Sequence, residues 1–304
     1  MNKKDMRILL LGASGQVGSE CKALFQQAGY TVFAITRKEL DFSCVDSAGD
    51  LAKKLLGPEL PCIVVNAMAY TAVDKAESEP DLADKINHLS VTYLSQYCAK
   101  YDIPLIHLST DYVFDGTGVD PYLESSEVNP LGVYGKTKWL GEQVIESHLS
   151  RYIILRTSWV FGVHGNNFVK TILRLAEDRD TLPIVGDQYG CPTYAGDIAA
   201  VIVELIQKYT SDLTLDWGVY HCVGEGVVSW CEFSQVIVDE AYARGLLSRP
   251  PEIVSISTGA YPTPAARPAY SVLNTNKLSM LLGRQLLPWR TGLAAFFDSN
   301  SLSS

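Results

Sequence analysis

In the segment "LGVYGKTKWLGE", Tyr134 and Lys138 stand four residues apart. Residues 134–148 read as a helix, and positions i and i+4 of a helix share a face. A lysine ammonium one turn from a phenol favours the phenolate and pulls the phenol down from its usual pKa of about 10. Such a tyrosine can pass a proton near neutral pH. Upstream, "STDYVF" supplies hydroxyls at Ser109 and Thr110. Thr110 is placed to hydrogen-bond a carbonyl oxygen and hold it beside the tyrosine. The three residues suit reduction of a ketone, where hydride transfer leaves an alkoxide that needs a proton. The bare Tyr-x-x-x-Lys spacing is weak evidence, because both residues are common; its weight depends on where it stands.

Five apolar runs punctuate the first 160 residues: "RILLLG" (7–12), "TVFAI" (31–35), "CIVVNA" (62–67), "PLIHLS" (104–109) and "YIILRT" (152–157). They are apolar almost throughout, as suits strands covered on both faces. Between them lie helical stripes. Residues 15–28 align Val17, Cys21, Leu24, Phe25 and Ala28; residues 80–101 align Leu82, Ile86, Leu89, Tyr93, Leu94 and Tyr97, with Pro80 at the helix start. The alternation predicts an α/β fold, a doubly wound parallel sheet of Rossmann type. Thr110 then falls at the carboxyl end of the fourth strand, where ligands of such sheets bind.

The first strand runs into "GASGQVG", with Gly12, Gly15 and Gly18. Glycines there serve a tight turn, the approach of backbone to a pyrophosphate and close helix–strand packing, while the helix start offers N–H donors. This points to a dinucleotide. "TRKELDF" follows the second strand, where an acidic residue favours a free ribose 2′-hydroxyl and an arginine a 2′-phosphate. Arg37 and Lys38 lean towards NADPH; Glu39 and Asp41 pull the other way, so NADH stays open.

Beyond residue 160 helices are expected near 166–178, 194–209 and 231–245, and a strand over 219–223. Residues 248–271 read as an irregular loop, and the tail from 296 to 304 as frayed. The net charge of −9 on 304 residues argues against nucleic acid and against an anionic membrane surface. No run approaches the roughly 18 apolar residues of a membrane span. Seven cysteines, an odd count with no C-x-x-C, read as reduced residues of a cytoplasmic protein. His107 reads as a satisfied core residue, and Asp74, Lys75 and Glu77 as a solvated helical turn.

"GASGQVG", "STDYVF" and "YGKTK" together resemble the extended short-chain dehydrogenase/reductases. "NAMAYTAVDKAESEP" (66–80), "RTSWVFGVHGNNF" (156–168), "DQYGCPT" (187–193) and "YPTPAARP" (261–268) are similar to the dTDP-4-dehydrorhamnose reductase family, over roughly residues 6 to 296. The resemblance implies reduction of the C4 ketone of dTDP-6-deoxy-L-lyxo-4-hexulose to dTDP-L-rhamnose by NAD(P)H. It implies Thr110, Tyr134 and Lys138 as catalytic residues, and Gly15, Gln16 and Val17 at the pyrophosphate. Asp41 and Phe42 would lie near the adenine, and Ala69, Tyr70 and Thr71 near the nicotinamide ribose. Val73, Asp111, Tyr112, Trp159 and Asn167 would line the sugar pocket. Two plainer readings stand beside these: Trp159 as core and Asp111 as a turn cap. Arg267 suits a nucleotide phosphate or a plain loop equally.

By the same analogy, residues 1–160 with 193–222 form the dinucleotide unit, and 161–192 with 223–304 a smaller substrate unit. Some family members link a homodimer through Mg²⁺ held by glutamates. Gly196 stands here where such a glutamate often lies, so Mg²⁺ and the dimer both stay open, and no metal ligand is assigned. Two other functions remain in view. One is a different nucleotide-sugar epimerase, dehydratase or reductase. The other is a non-catalytic NADP-binding module resembling the regulatory subunit of methionine adenosyltransferase.

Overall fold

The computed structural model describes residues 5–55 and 59–299. Six strands form the central parallel sheet: β1 (Arg7–Leu11), β2 (Thr31–Ile35), β3 (Ile63–Asn66), β4 (Leu105–Thr110), β5 (Tyr152–Thr157) and β10 (Gly218–His221). Their order is β10-β5-β4-β3-β1-β2. β1 pairs with both β2 and β3, so the winding reverses there and opens a crevice between the carboxyl ends of β1 and β3.

The continuous apolar runs are explained by two cores, one on each face. Ile8 and Leu10 of β1, with Ile63, Val65, Ile106, Ile153 and Leu155, pack into one. Leu9 and Leu11, with Val64, Leu105 and Ile154, pack into the other. Successive strand residues point to opposite faces, so a strand covered on both sides must be apolar at every position. The first core is covered by α1 (Gln16–Gln27) and α8 (Ala195–Asp212), and the second by α2 (Ala48–Leu55) and α5 (Ser90–Lys100). α3 (Val73–Ala76), α4 (Pro80–Asp84) and α6 (Val133–His148) complete this half.

A third apolar core joins α7 (Phe168–Asp178), α9 (Trp230–Ala243) and α11 (Trp289–Asp298). Short strand pairs edge it: β6 (Val160–Phe161) with β9 (Thr193–Tyr194), β7 (Thr181–Val185) with β12 (Glu252–Ile256), and β8 (Tyr189–Gly190) with β11 (Val228–Ser229). α10 (Asn276–Leu282) returns to the main sheet, and its Leu278 and Leu282 lie in the first core.

Three expectations need correction. Residues 248–271 are not wholly irregular, since β12 pairs in parallel with β7; both strands are five residues long and partly exposed, which blurs their pattern. The single helix expected over 80–101 contains a π turn at Lys85–Leu89. The frayed tail begins later than residue 296, because α11 runs to Asp298; residues 300–304 lie outside the described residues.

Candidate active site

The glycine loop is set by contact as well as by turn geometry. Gly12 has φ +76°, and a Cβ there would lie 2.7 Å from the backbone of Ala67. A Cβ on Gly18 would collide with the Gly12 carbonyl. α1 starts with Gly15 as its N-cap and no side-chain cap, leaving its first N–H groups to face the crevice. The cleft above has a volume of about 340 Å³. Gly12, Gly15, Arg37, Asp41, Phe42, Ala69, Tyr70 and Thr71 all line it, and Ser14, Thr36, Met68 and Ile86, not anticipated from sequence, line it too. A narrow backbone cradle with free N–H donors fits a dinucleotide.

Not every expected residue faces this cleft. Val17 is buried in the first core. The Gln16 side chain turns aside and accepts from Asn167 Nδ2 at 3.0 Å. Asn167 caps α7, accepting from Lys170 N, so Gln16 and Asn167 tie the glycine loop to the third core. Arg37 donates to Asp41 at 3.3 Å, and Asp41 caps the turn that presents Phe42. Ser43 is the main cause holding the Asp41 carboxyl below its usual range.

Thr110 ends β4, and its hydroxyl donates to Asp111 Oδ1 at 3.1 Å while accepting from Tyr112 N at 3.2 Å. Tyr134 is the second residue of α6, and its ring meets Tyr112 edge-on at 5.5 Å. Burial raises the Tyr134 hydroxyl above the ordinary phenol range; a hydrogen bond with Thr110 works the other way, and Asp111 and Tyr112 add to the rise. The lowering expected from Lys138 is not found: Nζ bonds Leu108 and His107 instead, and the phenol is raised, so it is protonated at neutral pH and can act as a proton donor. Lys138 is buried, and its Nζ bonds the Leu108 carbonyl at 2.7 Å and His107 Nε2 at 3.1 Å. Burial lowers it to about 8, with Glu142 opposing. Asp111 is buried, its Oδ2 has no hydrogen-bond partner, and it is pushed up to about 6 by burial.

α6 is placed by Glu77, read from sequence as part of a solvated turn, and by Asn87, which the sequence reading passed over. Glu77 Oε1 accepts from Val133 N at 2.9 Å and so caps the helix from outside. Asn87, in the π turn, bonds both backbone groups of Tyr70, at 2.8 and 3.1 Å, and Thr137 of α6 at 3.2 Å. It joins the cofactor cleft to the Tyr134 helix. Asp74 is partly exposed but paired: it accepts from Arg267 at 2.8 Å. Arg267 also donates to the Tyr112 hydroxyl at 3.0 Å. Lys75 is exposed, as expected, and Val73 opens α3.

A second cavity of about 450 Å³ lies beside Arg267, with Gln188, Tyr261, Thr263, Trp230 and Phe168 among its walls. Trp159, at φ +47°, stacks face to face on Trp230 with centroids 3.4 Å apart. Trp230 and Gln188 were missed because single residues in a loosely patterned region carry no spacing signal. Gly196 packs against the Tyr194 ring and brings no carboxylate. Among the described residues no group of three or more His, Cys, Asp or Glu could hold a metal ion.

Comparison with known proteins gives a consistent result. The family model described as RmlD substrate binding domain matches residues 6–301. A dTDP-4-dehydrorhamnose reductase of Aggregatibacter actinomycetemcomitans is 42% identical over 94% of this chain and 97% of its own. The crystal structure of a dTDP-4-dehydrorhamnose reductase from Clostridium acetobutylicum has a TM-score of 0.86 at 34% identity, covering 96% of this chain and 99% of that one. One from Bacillus anthracis, solved in complex with NADP, has a TM-score of 0.85 at 33% identity, covering 96% and 98%. By sequence and by fold alike, this chain belongs to the RmlD substrate binding domain family, that of the dTDP-4-dehydrorhamnose reductases.

Proposed function

We propose that the protein reduces the C4 ketone of dTDP-4-dehydro-L-rhamnose (dTDP-6-deoxy-L-lyxo-4-hexulose) to dTDP-L-rhamnose, with Tyr134 as proton donor. The observation that carries this is Thr110, Tyr134 and Lys138 gathered at the carboxyl end of β4, next to a glycine-lined cleft. NADPH, bound in the cleft, supplies the hydride. Gly12, Gly15 and the start of α1 hold its pyrophosphate, and Arg37 faces the ribose phosphate once it leaves Asp41. The NADP complex of the Bacillus anthracis relative supports NADPH binding.

The chain's own residues then manage oxygen and proton. Thr110 donates to the C4 oxygen and Tyr134 releases its proton to that oxygen as negative charge develops. Lys138, as the ammonium, stabilises the phenolate left behind. Asp111 and Tyr112 contact sugar hydroxyls, with Trp159, Val73 and Asn167 around them. Arg267 and the cavity by Trp230 receive the nucleotide diphosphate. Residues 1–160 with 193–222 serve as the dinucleotide unit and 161–192 with 223–304 as the smaller substrate unit, except that α10 packs on the first core; the two units meet at Arg267 and Asp74.

Incubating the protein with freshly made 4-keto nucleotide sugar and NADPH tests the reaction. The expected result is stoichiometric NADPH oxidation and dTDP-L-rhamnose identified by NMR. Absence of turnover with NADPH demonstrably bound would overturn it.

A further inference from the structure

A buried polar chain runs from β3 through β4 to the lysine of α6. Met68 N donates to Asn66 Oδ1 at 3.1 Å, Asn66 Nδ2 lies 3.0 Å from His107 Nδ1, and His107 Nε2 lies 3.1 Å from Lys138 Nζ. Asn66 and His107 are both fully buried. The polarity of the chain follows from its fixed end. A backbone N–H can only donate, so it holds the Asn66 oxygen towards Met68 and the amide NH₂ towards His107. His107 Nδ1 must therefore accept. A neutral imidazole carries one proton, so that proton sits on Nε2, which then donates to Lys138. The partner of a donor must offer a lone pair, and an ammonium has none.

We propose that His107, oriented by Asn66, is a positioning residue that sets the charge of Lys138: through Nε2–H it favours the uncharged amine where Nζ rests on β4. Protonating Lys138 in that place sets donor against donor. Relief requires either that Nζ leave His107 or that the proton move to Nδ1, and the latter would turn Asn66 over and strip Met68 N of its acceptor. The chain is closed at Met68, so it offers no proton route to solvent; it biases Lys138 towards the amine, and the ammonium that catalysis uses forms against that bias as Nζ moves off His107. The inference rests on the reductase reading for its consequence in catalysis, and on geometry alone for the tautomer.

The other groups around Lys138 do not supply this polarity. On its own helix stand Tyr134 and Glu142, and Glu142 is closed by Arg156 from β5 and by Ser109 from β4. From the π turn comes the neutral Asn87, and from the turn after β4 comes Asp111, which acts on Tyr134. Burial favours the neutral state of both His107 and Lys138, in keeping with this arrangement.

Asn66→Asp inverts the chain. One carboxylate oxygen still accepts from Met68 N, the other now accepts from Nδ1–H, and Nε2 becomes an acceptor for the ammonium. The histidine tautomers of the full-length protein can be read by long-range ¹H–¹⁵N NMR, with the His107 signals assigned by their loss in His107→Gln. The expected wild-type result is a neutral His107 protonated at Nε2, switching to Nδ1 in Asn66→Asp. The alkaline limb of kcat should move upward by about one pH unit in Asn66→Asp, a tenfold change in proton concentration. In a His107→Leu background the same substitution should leave the limb unmoved. An Nδ1–H tautomer in the wild type would overturn the inference, as would an equal shift with and without His107, which would be a mere charge effect. Absence of wild-type turnover with NADPH bound would sink the reductase reading instead, and the tautomer would still decide this one.

Discussion

Among single residues, Asp111 shows most clearly a side chain held at a cost. Its carboxyl is buried with an unpartnered oxygen and is raised from 3.8 to about 6. Between those values the folded state binds more protons than the unfolded one, so its stability falls as pH rises through that window. Above pH 6 the penalty is complete, on the order of 3 kcal/mol; below pH 4 it is gone. Asp111→Asn should therefore raise the urea midpoint at pH 8 and lose the advantage towards pH 4, while turnover drops. A stability difference that does not change with pH would contradict this. Thr110, Tyr134 and Lys138 were legible in the sequence because their types and spacing name a reaction. His107 was legible as a satisfied core residue, but its link to Asn66 and Lys138 was not, because hydrogen-bond polarity between two strands leaves no trace in a linear pattern.

Secondary elements hold the site through few contacts. α6 has a glycine N-cap with no side-chain bond of its own, and Glu77 accepts from Val133 N, one residue before Tyr134. Glu77→Ala should cost about 1 kcal/mol, as losing a helix cap does. It should also lower kcat more than it raises KM, because it loosens the turn carrying Tyr134; an unchanged kcat would show that the cap does not position the tyrosine. Gly18→Ala forces a Cβ onto the Gly12 carbonyl. The expected outcome is loss of NADPH binding by fluorescence titration at least tenfold, about 1.4 kcal/mol, from a displaced glycine loop. Helices and long strands were readable because they bury one face or two. The two-residue strands and the π turn were not, since their register is imposed by tertiary packing rather than by local preference.

The molecule as a whole connects the cofactor side and the third core through sparse polar links. Arg267 meets Asp74 across 193 residues of sequence, and Gln16 meets Asn167. Arg267 and Asp74 are partly exposed, so their ion pair contributes little to stability, within about 1 kcal/mol. Arg267→Ala should thus leave the melting temperature nearly unchanged while raising KM for the nucleotide sugar about tenfold, the loss of a charged phosphate contact; an unchanged KM would remove Arg267 from the substrate site. The parallel sheet and the glycine crevice were visible from the first 160 residues because fully apolar strands alternate with amphipathic helices there. The second cavity was not, because Trp230, Gln188 and Arg267 come from separate segments that only the fold unites. The central claim is that Tyr134 protonates the reduced ketone. Its most direct test compares NADPH oxidation by wild type and Tyr134→Phe on the 4-keto nucleotide sugar, with NADPH affinity measured in parallel. The account expects turnover to fall about 10²–10⁴-fold, the usual worth of a general acid, with cofactor affinity held. Wild-type turnover in the variant would contradict it.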